Sequence, residues 1–273
     1  MTGRVALVTG ASSGIGEATA LELRRRGLVV YGGARRVERM VGLRAQGVQT
    51  LALDVTNDGS VTDAVSMIEQ EAGRLDVLVN NAGYGSYGAV EDVALEEGRK
   101  QFDVNVFGVM RLTQSVVPLM RRQGSGRIIN VTSVGGKIYT PFGAWYHGTK
   151  FALEGMSDVL RLELAPFGID VVVIEPGAIK TEWSSIAAEH LRETSGHGPY
   201  AELATRISKT MTSGPLHNRA SDPSVIAKTI AAAVAAEKPK TRYAAGFSAR
   251  PVLALRRLLS DRAFDSLIMR STQ

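Results

Sequence analysis

Short runs of β-branched residues alternate with longer stretches of helical periodicity along most of this chain. Strand-like segments at 4–9 (RVALVT), 28–32, 50–54, 76–79, 127–131 and 169–174 stand between helical patterns. Those patterns run from the first glycine turn to about residue 26, then over 35–46, 60–72, 95–122 and 144–165. The strands are almost continuously apolar, as they are when helices cover both faces of a parallel sheet. The alternation predicts an α/β fold with a doubly wound parallel sheet of about seven strands, the seventh at 241–245. After Pro176-Gly177 the pattern dissolves into a polar stretch reaching residue 215, followed by a helix at 224–236 and a helical tail. No repeat or linker divides the chain. It reads as a single domain over 1–273 with a helical C-terminal extension near 250–273.

Composition removes several function classes. The chain has 273 residues, 44% of them apolar and 22% charged, so disorder is excluded. It has no cysteine, which excludes disulfides, Cys-ligated zinc, Fe–S clusters and a thiol nucleophile. His147, His190, His197 and His217 have no ligand spacing, and no metal site is expected. Apolar runs such as 230–236 are far short of the roughly 18 residues that span a bilayer. The chain enters its first strand directly, so no leader is expected and the expected location is cytoplasmic. The net charge is +5, and the region from Arg250 onward holds five arginines against Asp261 and Asp265. The remainder is nearly balanced, which argues against nucleic-acid binding. The pattern Val252, Leu255, Leu258/Leu259 with interleaved arginines is expected to pack on its own domain or a partner subunit rather than a membrane.

Between the first strand and the first helix lies Thr9-Gly10-Ala11-Ser12-Ser13-Gly14-Ile15-Gly16. Glycines there let the backbone turn sharply and approach a pyrophosphate, and the helix N-terminus favours the anion. Asn80-Asn81-Ala82-Gly83 follows the fourth strand, Asn105 lies in the next helical stretch and Ser133 ends the fifth strand. Tyr146 and Lys150 form a YxxxK pair, and Pro176-Gly177-Ala178-Ile179-Lys180-Thr181 follows the sixth strand. This order and spacing over 3–246 resemble the single-domain branch of the short-chain dehydrogenase/reductase family. The tail is similar to that of its 17β-hydroxysteroid and retinol dehydrogenase-like members.

The resemblance implies a Rossmann-like fold, a dinucleotide cofactor, a homodimer or homotetramer, and a catalytic set of Asn105, Ser133, Tyr146 and Lys150. It assigns the cofactor to Gly10, Ser12, Ser13, Gly14, Ile15 and Gly16, then Asp54 and Val55, then Asn81, Ala82 and Gly83. Tyr146, Lys150, Pro176, Gly177, Ile179 and Thr181 complete that set. Residues i and i+4 share a helix face, so the Lys150 ammonium is expected to lower the Tyr146 pKa and suit it to acid–base work. By resemblance Ser133, not Thr132, aims at the substrate oxygen, and Asn105 holds a water relaying protons to Lys150. His147 is expected to be packing or surface.

NAD-specific relatives close the second strand with an acidic residue that holds the ribose. Here Ala34 takes that place and Arg35 and Arg36 follow, which predicts NADP(H) over NAD(H). Glu38 is expected to pair with an arginine. Three walls beyond the strand ends, 84–87, 134–142 and 183–215, would set substrate choice. The first two carry few charges, pointing to an apolar ketone, aldehyde or secondary alcohol. The third is expected to be a mobile lid loop. The expected function is therefore an NADP(H)-dependent carbonyl reductase or alcohol dehydrogenase. The alternative is a catalytically silent NAD(P)-binding regulator on the same fold.

Overall fold

The computed structural model describes residues 3–271, so the first two residues and the last two of the expected extension lie outside it. The first half contains β1 (Val5–Thr9), α1 (Gly14–Arg25), β2 (Val29–Ala34), α2 (Val41–Ala45), β3 (Gln49–Ala52), α3 (Asp58–Ala72) and β4 (Val77–Asn80). Then come α4 (Leu95–Phe102), α5 (Gly108–Gln123), β5 (Gly126–Val131), α6 (Ala144–Leu164) and β6 (Ile169–Pro176). The remainder is α7 (Glu182–Ser195), α8 (Ala201–Ser213), α9 (Pro215–Asn218), α10 (Pro223–Ala235), β7 (Arg242–Ala245), α11 (Ala249–Leu258) and α12 (Asp261–Ser271).

The strands form one parallel sheet in the order β3-β2-β1-β4-β5-β6-β7. Alternate residues feed opposite layers. Ala6, Val8, Val30, Val79, Ile129 and Val172 pack under α1 and α10. Val5, Leu7, Leu78, Ile128 and Val171 pack under α3 and α5. With both faces covered, an alternating polar pattern has no place, which is why the strands read as unbroken apolar runs. The chain winds outward from β1 to β3, then returns to β4 on the other side of β1. The carboxyl ends of β1 and β4 therefore diverge around a crevice, the place where open α/β sheets take ligands.

Five expectations are corrected. Pairing with β1 and β3 carries β2 on to Ala34, and β3 stops at Ala52, leaving Asp54 and Val55 in the loop beyond it. The helix expected over 35–46 is a 3-10 turn, Val37–Met40, followed by the short α2; Gly47, at φ 79°, stops it. The run over 95–122 is interrupted by a π turn, Asp103–Phe107. The expected loop at 183–215 is mostly helical, as α7 and α8. Thr181 caps α7, and Ala187, Leu191, Ala204 and Ile207 bury facing stripes between the two helices. Small and polar residues mask those stripes in the sequence.

Candidate active site

The first turn tolerates only glycine at its key positions. Gly10 and Gly14 have φ of 66° and 57°, in the left-handed region. A Cβ at Gly10 would stand 2.9 Å from Asn81 Nδ2, and one at Gly16 would stand 2.2 Å from the Gly10 oxygen. The Thr9 hydroxyl accepts from the N–H groups of Asn81 (3.0 Å) and Ala82 (2.9 Å), and Asn81 Nδ2 donates to the Thr9 oxygen (3.0 Å). The glycine turn and Asn81-Ala82-Gly83 are thus one unit. Ser12, Ser13 and Ile15 are half-buried along it, and the Ser13 side chain caps no N–H of α1. The first-turn N–H groups remain available to an anion.

Thr181 closes the opposite side, its methyl 3.1 Å from where a Gly14 Cβ would sit. Pro176 ends β6, and Gly177 is pressed against the Phe247 oxygen at 2.2 Å from a notional Cβ. Ile179 is half-buried and bridges to Ser221, while Lys180 is exposed. Asp54 Oδ1 accepts from the Thr56 N–H (2.9 Å) and hydroxyl (2.8 Å). Burial pushes that carboxyl up, but these bonds, with Arg35 and Arg111, hold it below its ordinary value. Val55 is buried against Gly108. Arg35 and Arg36 are exposed past β2, and neither side chain makes a salt bridge or hydrogen bond among the described residues. Instead of Glu38, it is Glu182 at the start of α7 that pairs with an arginine: Arg39, at 2.7 Å. The cradle of close-packed glycines and open N–H groups fits the pyrophosphate of a dinucleotide.

Tyr146, Lys150, Ser133 and Asn105 converge beyond β5. Tyr146 is 8% exposed, and the Ser133 side chain hydrogen-bonds its phenol. Burial pushes the phenol up to about 12, and the Ser133 contact pulls it down only partly. The shift therefore runs opposite to the expected lowering by Lys150, and its largest cause is desolvation. The Lys150 Nζ stands 5.9 Å from the Tyr146 ring centre and donates to the Val131 oxygen at 3.0 Å. Burial pushes the ammonium down to about 8, and the Glu154 carboxylate opposes that shift. Asn105 lies in the π turn, the kind of helix irregularity that recurs at functional sites. Its Nδ2 donates to the Tyr84 oxygen (2.9 Å) and the Thr149 hydroxyl (3.1 Å), and its Oδ1 accepts from the Tyr84 N–H (3.1 Å). The amide clamps the segment after β4 onto the helix that carries Tyr146.

The depressed Lys150 pKa has a sign that can be measured. Between pH 8 and 10.5 the unfolded lysine holds its proton while the folded one has lost it. The unfolded chain then binds more protons, so stability rises with pH across that window. Denaturation of wild type and Lys150→Met at pH 7.5 and 9.5 is expected to show wild type gaining on the variant at the higher pH. A constant difference would mean that Lys150 keeps an ordinary pKa.

Residues from the three expected walls meet over the phenol. Trp183, in the first turn of α7, lies over Tyr146 with ring centres 5.0 Å apart and meets Tyr87 edge-on at 5.8 Å. Phe142, Leu203, Ile207 and Met211 extend this apolar cluster. Phe142 holds φ 67°, a strained value for a non-glycine residue at the edge of a site. His147 is a brace. Its Nε2 accepts from the Thr140 N–H (3.0 Å), so Nδ1 carries the proton donated to the Gly135 oxygen (2.9 Å). Burial keeps its pKa low. Behind Lys150, Glu154 is 2% exposed and takes Thr132 (2.7 Å), Lys137 (3.0 Å) and Arg242 (3.0 Å). Thr132 thus points away from the cleft while Ser133 faces Tyr146.

The sequence pattern of the short chain dehydrogenase family matches residues 4–191. The chain is a short-chain dehydrogenase/reductase. It is 35% identical over 263 residues to a probable short-chain type dehydrogenase/reductase of Helicobacter pylori, with 96% of each chain covered. It is 44% identical over 181 residues, 66% of each chain, to the 3-ketodihydrosphingosine reductase of Bacteroides thetaiotaomicron. A crystal structure of a short-chain dehydrogenase from Streptomyces avermitilis superposes with a TM-score of 0.82 at 33% identity, covering 100% of this chain and 99% of the other. Actinorhodin polyketide ketoreductase with NADPH gives 0.73 at 32% identity, over 85% and 90%. The 3-ketoacyl-(acyl-carrier-protein) reductase of Brucella melitensis complexed with NADH gives 0.70 at 30%, over 84% and 89%. This short-chain dehydrogenase/reductase is therefore an oxidoreductase of a nicotinamide-dependent family with a Rossmann-like sheet.

Proposed function

We propose that the protein is an NADP(H)-preferring carbonyl reductase or alcohol dehydrogenase for an apolar substrate, with Tyr146 as general acid and base. The observation that carries this reading is a buried phenol held by Ser133 beneath Tyr87, Phe142 and Trp183. The relative that reduces 3-ketodihydrosphingosine and the polyketide ketoreductase support a substrate with a long or ring-bearing apolar body. The glycine turn and Asn81-Ala82-Gly83 would hold the pyrophosphate side of the cofactor, and Ile179 and Thr181 its nicotinamide side. When bound, the nicotinamide supplies or accepts the hydride.

In the reducing direction Tyr146 gives its phenolic proton to the carbonyl oxygen, and the Ser133 hydroxyl donates a hydrogen bond to the same oxygen. Lys150, near the ring and raised by Glu154, favours the phenolate that remains. In the oxidising direction that phenolate takes the alcohol proton. Asn105 positions the Tyr84 segment against this group. A screen of ketones and secondary alcohols, followed at the NADPH absorbance band, is expected to find turnover with apolar compounds. No cofactor consumption with any member would overturn the reading.

The helices α7 and α8 act in this proposal as the cover over the phenol, in place of the expected loop. Trp183→Ala is expected to raise KM for a bulky apolar ketone about 10-fold, the scale of 1–3 kcal/mol of apolar contact. The Kd for NADPH should hold. An unchanged KM would remove Trp183 from the substrate wall.

A further inference from the structure

The C-terminal hairpin of α11 and α12 is pinned to the domain through one ring. Phe264 is fully buried and meets Tyr139 edge-on at 5.6 Å, with the Arg256 guanidinium over both rings at 5.4 and 5.7 Å. The Tyr139 hydroxyl donates to Asp265 (2.9 Å), and Arg256 pairs with Asp261 (2.7 Å). Both acids of the hairpin are thereby engaged.

The outer face of α11 is different. Pro251, Ala254, Leu255 and Leu258 are all exposed and fall at i, i+3, i+4 and i+7, one continuous stripe. Leu258 is 82% exposed and Leu255 41%. Ala263 and Leu267 continue an exposed apolar line on α12. Arg250, Arg257, Arg262 and Arg270 on the same two helices are exposed, and none of their guanidinium groups makes a salt bridge or hydrogen bond among the described residues.

We propose that this hairpin docks the protein on an anionic lipid surface. Apolar residues sink into the headgroup boundary while arginines on the rim meet lipid phosphates, the arrangement of an interfacial amphipathic helix. No helix among the described residues is long and apolar enough to cross a membrane, so the contact lies along the surface. A second copy of the chain fits less well, because a twofold contact through this face would set one patch of four arginines against the same basic patch of the other copy. Tyr139, which anchors the hairpin, belongs to the segment between Ser133 and Phe142. Docking therefore brings the wall of the catalytic cleft to the lipid, where an apolar carbonyl compound accumulates. Only this last point rests on the proposed substrate class.

The test is co-sedimentation of the full chain with vesicles of phosphatidylcholine alone or mixed with phosphatidylglycerol. Binding is expected to the mixed vesicles only, and to weaken as salt is raised. Leu255→Ser/Leu258→Ser and Arg257→Gln/Arg262→Gln are each expected to lower partitioning about tenfold, with melting curves and turnover of a water-soluble ketone unchanged. Failure to bind the mixed vesicles, equal binding to neutral ones, or variants that bind like wild type would overturn the proposal. So would a Leu258→Ser protein of lower mass than wild type in light scattering, which would assign the stripe to a subunit interface. Loss of ketone turnover in every protein would instead count against the proposed activity and leave the vesicle result intact.

Discussion

Tyr146→Phe is expected to lower kcat by a factor of about 10²–10⁴, the usual worth of a positioned acid–base group, with the Kd for NADPH unchanged. The ring is what packs: it meets Trp183 at 5.0 Å and Tyr87 at 5.9 Å, and phenylalanine preserves both contacts. Only the hydroxyl and its bond to Ser133 are lost. Because burial holds the phenol near 12, the substitution removes a group that is protonated at neutral pH and adds no charge change of its own. The variant should melt within a few degrees of wild type, since one neutral hydrogen bond contributes about 0.5–1.5 kcal/mol. Single-turnover kinetics with a good ketone, beside fluorescence titration of NADPH, separate the two effects. A variant retaining more than half of wild-type turnover would show that the proton comes from elsewhere.

The second large effect expected is a preference for NADPH over NADH of roughly 10- to 100-fold in kcat/KM, from charge-assisted bonds of about 1.5–3 kcal/mol each. At the carboxyl end of β2 the structure has Ala34, where no carboxylate repels a 2′-phosphate, and then Arg35 and Arg36 with exposed guanidinium groups. Two cations beside a helical turn are otherwise mildly unfavourable there. Arg35→Ala should remove most of the preference by raising KM for NADPH while leaving NADH nearly unaffected. Ala34→Asp should act against NADPH by repulsion and offer NADH a ribose ligand. Equal or better use of NADH by the wild type would overturn the assignment, whatever the variants do.

What the sequence made legible follows from how local each signal is. Strands buried on both faces leave an apolar run that needs no partner to be recognised, so β1, β4, β5 and β6 were found within a few residues. Tyr146 and Lys150 were legible because one helical turn joins them. The π turn around Asn105 was not, since inserting one residue into a helix leaves no periodic trace. Glu154 was also missed. A glutamate in the middle of a helix reads as a solvated face, and its burial depends on Arg242, 88 residues away. The helices over 182–213 escaped because alanine and serine carry much of their buried surface. The pKa of Tyr146 was misjudged for the same reason as Glu154: a neighbour in sequence is visible, whereas desolvation by α7 is not.

The ion pair between Arg39 and Glu182 joins the segment after β2 to the first turn of α7. One partner stands on the cofactor side of the crevice and the other on the helix carrying Trp183. Any anion that draws Arg39 away from Glu182 also removes a restraint on that helix, and by thermodynamic reciprocity the position of the helix alters the affinity for the anion by the same factor. Both partners are largely in water, so the pair is screened and the coupling it carries is weak. Even so, the two halves of the crevice cannot be tuned separately. A substitution at Arg39 made to change cofactor choice would carry a small, predictable change in carbonyl KM, and one at Glu182 the reverse.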